Sequence, residues 1–204
     1  MTRPLFPLFQ SHIDLAHAYW ERIVLPGDSV IDATCGNGHD TLLLAKIALQ
    51  EGALGKVIAI DTQQKAIETT KERLFNHLTE QQFKSVDFRH QSHESFPSEI
   101  RPGTIKLITY NLGYLPNGDK TITTKTSTTI QSIENALNLI CEGGAISITC
   151  YPGHPEGLLE EQALFHFVTN LQPQEWSCCH HRWLNRSKSP SLLLLQKLRT
   201  TFAS

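Results

Sequence analysis

The chain predicts an α/β fold: a doubly wound, mostly parallel sheet of seven strands, with an antiparallel hairpin at its C-terminal end. Three observations carry this expectation. Short apolar, β-rich runs alternate with stretches of helical periodicity along most of the 204 residues, the pattern of parallel strands joined by crossover helices. The runs are continuous rather than alternately apolar and polar, as in strands covered on both faces. Near the end the alternation stops, and two runs follow one another across a polar loop.

In order, residues 30–33, 57–60, 105–110 and 145–151 read as strands, and a further short strand leads into Phe88. Helical periodicity covers residues 12–24, 40–50, 64–78, 125–141 and 156–171. The fourth helix is the clearest: Ile130, Ile133, Leu137 and Ile140 recur on one face, and Gly143-Gly144 is expected to end it. Residues near 175–184 and 191–197 form the predicted hairpin, joined by Asn185-Arg186-Ser187-Lys188-Ser189-Pro190. The length favours one domain spanning residues 1–204.

With 40% hydrophobic and 19% charged residues, the composition is that of a folded globular chain. A formal charge of −2 does not advertise a nucleic-acid partner, although local patches decide such binding. The apolar runs fall far short of the roughly 18 residues that suggest a membrane span, so no membrane partner is expected. The N-terminal stretch lacks the basic and apolar pattern of a secretory leader. Five cysteines, two of them adjacent (Cys178-Cys179), fit neither a disulfide framework nor CxxC zinc spacing. No metal is expected, and the reducing cytoplasm is the expected compartment.

The most informative stretch is Val30-Ile31-Asp32-Ala33-Thr34-Cys35-Gly36-Asn37-Gly38-His39-Asp40-Thr41. A strand enters a tight glycine turn, and the turn enters a helix near Asp40. Such a junction admits a ligand close to the backbone and offers unpaired N–H groups. A dinucleotide fingerprint would place a third glycine where Thr41 stands. Asp32, ahead of the glycines, instead resembles the acid that opens the first motif of class I methyltransferases, with Thr34 in the first glycine position. Their ligand, S-adenosyl-L-methionine, carries an ammonium and a sulfonium but no phosphate, which suits an acid at the turn. Asp61 closes the next strand, where a carboxylate accepts hydrogen bonds from both ribose hydroxyls of an adenosyl group. Ser92 and His93 follow the third strand, where such enzymes contact adenine.

The fourth strand delivers Asn111-Leu112-Gly113-Tyr114-Leu115-Pro116 beyond the carboxyl end of the sheet, where open α/β folds gather ligands. It loosely resembles the Asn-Pro-Pro-Tyr loop of amine methyltransferases, in which an amide oxygen and a carbonyl hold the acceptor nitrogen. Methyl transfer is an in-line displacement governed by orientation, with a route for a proton. Asn111 is therefore the leading candidate for acceptor binding. The fifth strand ends in Tyr151-Pro152-Gly153-His154-Pro155, where His154 is a candidate proton acceptor.

Taken together, Asp32 to Thr41, Ser92-His93, the Asn111 to Pro116 string with Gly118-Asp119-Lys120, Thr128-Thr129-Ile130 and Tyr151 to Pro155 resemble the YtqB-like class I methyltransferases. This family, long labelled rRNA methylases, has a Rossmann-like methyltransferase sheet. It is associated with the MnmM type of enzyme, which methylates the aminomethyl group of 5-aminomethyl-2-thiouridine at the tRNA wobble position. The resemblance runs from about residue 12 to residue 197. It implies cofactor contacts from Asn37, Asp40, Asp61, Gln63, Ser92 and His93, beside the turn residues Asp32, Thr34, Gly36 and Gly38. It implies an acceptor pocket from Asn111, Tyr114, Tyr151 and His154. The last loop departs from the family's Asn-x-x-Asn-x-Pro-Pro: Lys188 and Ser191 replace its second Asn and second Pro.

A tRNA substrate, gripped at its anticodon stem-loop, would account for the tail. Arg182, Arg186, Lys188, Lys197 and Arg199 are interleaved there with Trp176 and Trp183, cations for phosphates and rings for bases. The plainer alternative is a solvated hairpin with Trp183 in the core. A homodimer is expected on size, since one small domain has little surface to hold a tRNA stem. The rival functions are methylation of rRNA or of a small-molecule amine, and a non-catalytic module that binds the cofactor or RNA. An NAD-dependent oxidoreductase fits least, given Thr41 and Asp32.

Overall fold

The computed structural model describes residues 8–113 and 123–200. Seven strands form one sheet: β1 (Ser29–Asp32), β2 (Lys56–Asp61), β3 (Val86–His90), β4 (Ile105–Asn111), β5 (Ile140–Cys150), β6 (Trp176–His181) and β7 (Ser191–Lys197). Their order is β3-β2-β1-β4-β5-β7-β6. The first five are parallel, and β7 runs antiparallel between β5 and β6. This is the predicted Rossmann-like methyltransferase sheet.

The continuous apolar runs explain why the sheet is covered on both faces. Val30, Val57 and Leu107 enter one core cluster with Trp20 and Leu44, from helices α1 (His12–Ile23) and α2 (His39–Ala48). Their neighbours Ile31, Ile58 and Ile108 point the other way. They meet Ile133 and Leu164 of α5 (Thr126–Leu139) and α6 (Pro155–Val168). Both sets are essentially inaccessible to water, and each such side chain contributes about 1.5–3 kcal/mol on burial. The chain winds from β1 outward to β3, then returns to β4 on the other side of β1. The strand order thus reverses between β1 and β4, and their carboxyl ends open a crevice there.

Three details differ from expectation. After α3 (Gln64–Phe75), residues 80–84 form a short helix, α4 (Glu80–Lys84), nucleated by a reciprocal Thr79–Gln82 capping box. Gly143 and Gly144 do not end α5. The helix stops at Leu139 and β5 begins at once, with the glycines inside a register shift against β4. Gly143 has φ 65°, and a Cβ on Gly144 would sit 2.8 Å from the Lys106 carbonyl oxygen, so the pair lets the strand bulge. Finally, β6 ends at His181, and Trp183 lies beyond it, half-buried against exposed Phe9 rather than in the core. No helix among the described residues is long and apolar enough to cross a membrane. All five cysteines are unbridged.

Candidate active site

A cavity of about 870 Å³ occupies the crevice at the carboxyl ends of β1, β2, β4 and β5. The glycine turn after β1 forms its floor. Gly36 has φ 51° and Gly38 φ 75°, left-handed values that favour glycine. Gly38 is the N-cap of α2 and supplies no side-chain cap. The turn is braced from α3: Thr70 Oγ1 donates to the Gly36 carbonyl (3.1 Å) and Arg73 Nε to that of Asn37 (2.6 Å). A Cβ on Gly38 would lie 2.9 Å from the Thr70 Cα, so glycine there also lets α3 approach.

Of the fourteen residues expected at the site, eleven line this cavity: Thr34, Gly36, Asn37, Asp40, Asp61, Gln63, Ser92, His93, Asn111, Tyr151 and His154. Tyr114 lies outside the described residues. Asp32 and Gly38 are corrections. Gly38 serves the turn and its packing. Asp32 is fully buried behind the wall, accepting the Thr34 N–H (3.2 Å) and the Thr41 hydroxyl (2.6 Å). It therefore braces the turn from behind and does not meet a ligand's ammonium. Thr41, which breaks the dinucleotide fingerprint, is its partner.

Asp61 is poised differently. One carboxylate oxygen accepts the Gly36 N–H (3.0 Å) and the other the Gln63 N–H (2.9 Å). Burial raises its pKa, and these backbone donors oppose the rise. Each oxygen keeps a lone pair, so the residue fits a vicinal pair of hydroxyls. His93 is buried, edge-on to Tyr110 at 5.8 Å, and burial lowers its pKa against a raising contribution from the Ala33 backbone. Its Nε2 has no hydrogen-bond partner among the described residues, which leaves a polar atom for a bound heterocycle.

On the opposite wall, Asn111 is anchored twice. Its backbone N–H donates to Thr34 Oγ1 (2.7 Å), and its Nδ2 donates to Asp40 Oδ2 (2.6 Å). Its Oδ1 is buried and finds no partner among the described residues. A buried acceptor left open costs about 1–3 kcal/mol, so it marks a place where a ligand donor belongs. The Tyr151 hydroxyl pairs with His12 Nε2 (3.2 Å), and burial pushes the phenol up to about 12. His154 is the N-cap of α6, with Nδ1 accepting the Gly157 N–H (3.1 Å). In the neutral ring the hydrogen then sits on Nε2, so this nitrogen is a donor and not the proton acceptor expected from the sequence.

Sequence reasoning missed His12 and His17, and singled out Lys188 without placing it at the cavity. His12 and His17 lie on α1, and His17 Nε2 meets Asp40 Oδ1 at 2.8 Å. Lys188, which departs from the family pattern, lines the cavity, and Ser191 donates to the buried Glu161 carboxylate. Lys188 was visible as a substitution. The two histidines carried no signal, because their partners lie far away along the chain. Among the described residues no cluster could hold a metal ion.

Comparison with known proteins agrees with this geometry. Residues 57–197 match the family described as "Putative rRNA methylase". The chloroplastic tRNA (mnm(5)s(2)U34)-methyltransferase of Arabidopsis thaliana is 37% identical over 188 residues, 90% of this chain and 68% of that protein. An rRNA-methylase structure from Clostridium thermocellum has a TM-score of 0.85 at 31% identity, covering 93% of this chain and 99% of that one. A Streptococcus mutans methyltransferase in complex with SAH, the demethylated form of the cofactor, has a TM-score of 0.80 at 29% identity, with the same coverage. Fold, cavity and relatives converge: the chain belongs to this rRNA-methylase family and is an S-adenosylmethionine-dependent methyltransferase.

Proposed function

We propose that the enzyme is a tRNA N-methyltransferase that methylates the aminomethyl group of 5-aminomethyl-2-thiouridine at the wobble position. The observation that carries this reading is Asn111, which lines the cavity beside the glycine turn and whose amide oxygen is buried without a partner among the described residues. An acceptor of hydrogen bonds there suits a substrate that brings N–H groups. The Arabidopsis relative, named a tRNA (mnm(5)s(2)U34)-methyltransferase after the methylated form of this uridine, supports an RNA acceptor.

When bound, S-adenosylmethionine would supply an electrophilic methyl for the amine nitrogen, leaving S-adenosylhomocysteine, with the released proton passing to water. The chain's part is to hold both partners in line. Asn111 selects the neutral amine, accepting one N–H so that the lone pair faces the methyl. Asp61 holds the ribose hydroxyls, Ser92 and His93 flank the adenine, and Thr34, Gly36, Asn37 and Gln63 complete the cofactor wall. Tyr151 and His154 line the acceptor end.

The hairpin supports an RNA partner. Trp183 meets Phe9 edge-on at 5.3 Å, and the Arg186 guanidinium lies 4.8 Å from the Trp183 ring. Lys188, on the same loop, reaches the cavity wall. The loop that brings Lys188 to the cavity thus also carries a further cation for phosphates and a ring for unstacked bases, as single-stranded loop recognition requires.

Mass spectrometry of nucleosides from a deletion strain, with transfer of labelled methyl by the purified enzyme to that strain's tRNA, tests the reading. Accumulation of the aminomethyl nucleoside, reversed by the enzyme, is expected. An unchanged profile with no transfer to tRNA would move the acceptor to rRNA or a small amine. For the cofactor end, Asp61→Ala is expected to weaken S-adenosylmethionine binding roughly 10- to 100-fold, the value of hydrogen bonds to a charged group. Titration calorimetry would reject the ribose role if affinity changed less than threefold.

A further inference from the structure

Two side chains stand behind Asn111. Asp40, in the first turn of α2, accepts the Asn111 Nδ2–H at Oδ2 (2.6 Å). Its other oxygen, Oδ1, faces His17 Nε2 from α1 at 2.8 Å. A carboxylate offers acceptors only, so these contacts fix what they touch. The ring nitrogen facing Oδ1 must carry a hydrogen. The Asn111 amide must turn its nitrogen to Asp40, which sends its oxygen the other way. Both Asp40 oxygens are thus occupied by protein donors, which sets this residue apart from Asp61, whose partners are the backbone of the glycine turn and its own strand end.

His17 is itself held. Its ring packs against Trp20 at 4.9 Å, and Trp20 is buried in the core between α1 and the sheet. The backbone of Asn111 is fixed separately by Thr34, and the orientation of the amide, which a 180° flip would reverse, is set at its side chain. Among the described residues, only Asp40 opposes that flip.

We infer that His17 and Asp40 are positioning residues, forming a His17–Asp40–Asn111 relay that aims the Asn111 amide oxygen at the acceptor amine. This rests on the proposed reading of Asn111 as the amine's hydrogen-bond acceptor. The relay has an electrostatic side as well. Positive charge develops on the acceptor nitrogen as the new bond forms, and an amide whose N–H groups face a carboxylate presents a more negative oxygen to it. Preorganised in this way, the dipole needs no reorientation during the reaction.

The test compares Asp40→Asn, His17→Phe and His17→Gln in the full-length enzyme. Asp40→Asn keeps the shape but lets the amide take either orientation. His17→Phe keeps the ring on Trp20 and removes the donor, whereas the terminal amide of His17→Gln restores a donor near the Nε2 position. Turnover on aminomethyl-tRNA is expected to fall roughly 30-fold or more in Asp40→Asn and about tenfold in His17→Phe, with recovery to within about threefold of wild type in His17→Gln. In both His17 variants KM for tRNA and Kd for S-adenosylmethionine should stay within about threefold. A second readout needs no acceptor: the side-chain amide of Asn111, identified in nitrogen-15 NMR by its loss in Asn111→Asp, should show a downfield, slowly exchanging proton that becomes ordinary in Asp40→Asn. Unchanged turnover, a parallel loss of cofactor affinity in His17→Phe, or an Asn111 signal indifferent to Asp40→Asn would overturn the relay. If the wild-type enzyme transfers nothing to tRNA, the substrate reading fails, and the NMR comparison still decides the relay.

Discussion

Asn111→Ala is expected to lower turnover roughly 10²–10³-fold, the usual cost of removing one preorganised group that meets developing charge. Affinity for S-adenosylmethionine should stay within about threefold. The separation follows from the geometry. The Asn111 side chain donates to Asp40, and its oxygen is buried without a partner among the described residues, whereas the glycine turn and Asp61 hold each other on the cofactor wall. The backbone N–H of residue 111 would keep its Thr34 partner in the variant, so the end of β4 should not move. Single-turnover kinetics beside equilibrium cofactor binding makes the measurement. Equal losses in both would place Asn111 on the cofactor and remove it from the acceptor.

The second large effect concerns pH and stability. Complete burial, and next the Asp40 carboxylate, push Asp32 up to about 7, against hydrogen bonds from Thr41 and Thr34. In the unfolded chain the same acid ionises near its ordinary value. Between those two values the folded protein binds the extra proton, so stability falls as pH rises from about 4 through about 7. The full contribution is present below the unfolded value and lost above the folded one. Its size is on the order of 4 kcal/mol. Asp32→Asn has no charge to bury and can still accept the Thr34 N–H. The stability of this variant relative to wild type, from urea unfolding, should therefore increase by several kcal/mol between pH 4 and pH 8. A difference constant over that range would show that Asp32 ionises normally inside the fold.

The sheet was legible because parallel strands buried on both faces leave long apolar runs, and these depend only on neighbours in sequence. The glycine turn and Asp61 were legible for a similar reason: their partners are each other, across adjacent strands of a predictable crossover. Where an inference needed the third dimension it broke down. Gly143-Gly144 is read locally as a helix stop, but pairing with β4 turns it into a bulge in β5. Residues near 175–184 read as one strand, yet β6 ends at His181, before Trp183.

The roles within the site divide the same way. From the chain alone follow the fold class, the cofactor class and the candidacy of Asn111, because each rests on residue types at short, fixed spacings. Only the folded structure shows that Asp32 stands behind the wall, that His154 caps α6 through its accepting nitrogen, and that His17 reaches Asp40 from another helix. A motif states which side chains are near one another along the backbone. Which atom of a carboxylate or an imidazole is already occupied is settled by hydrogen bonds between elements distant in sequence, and no local pattern encodes them.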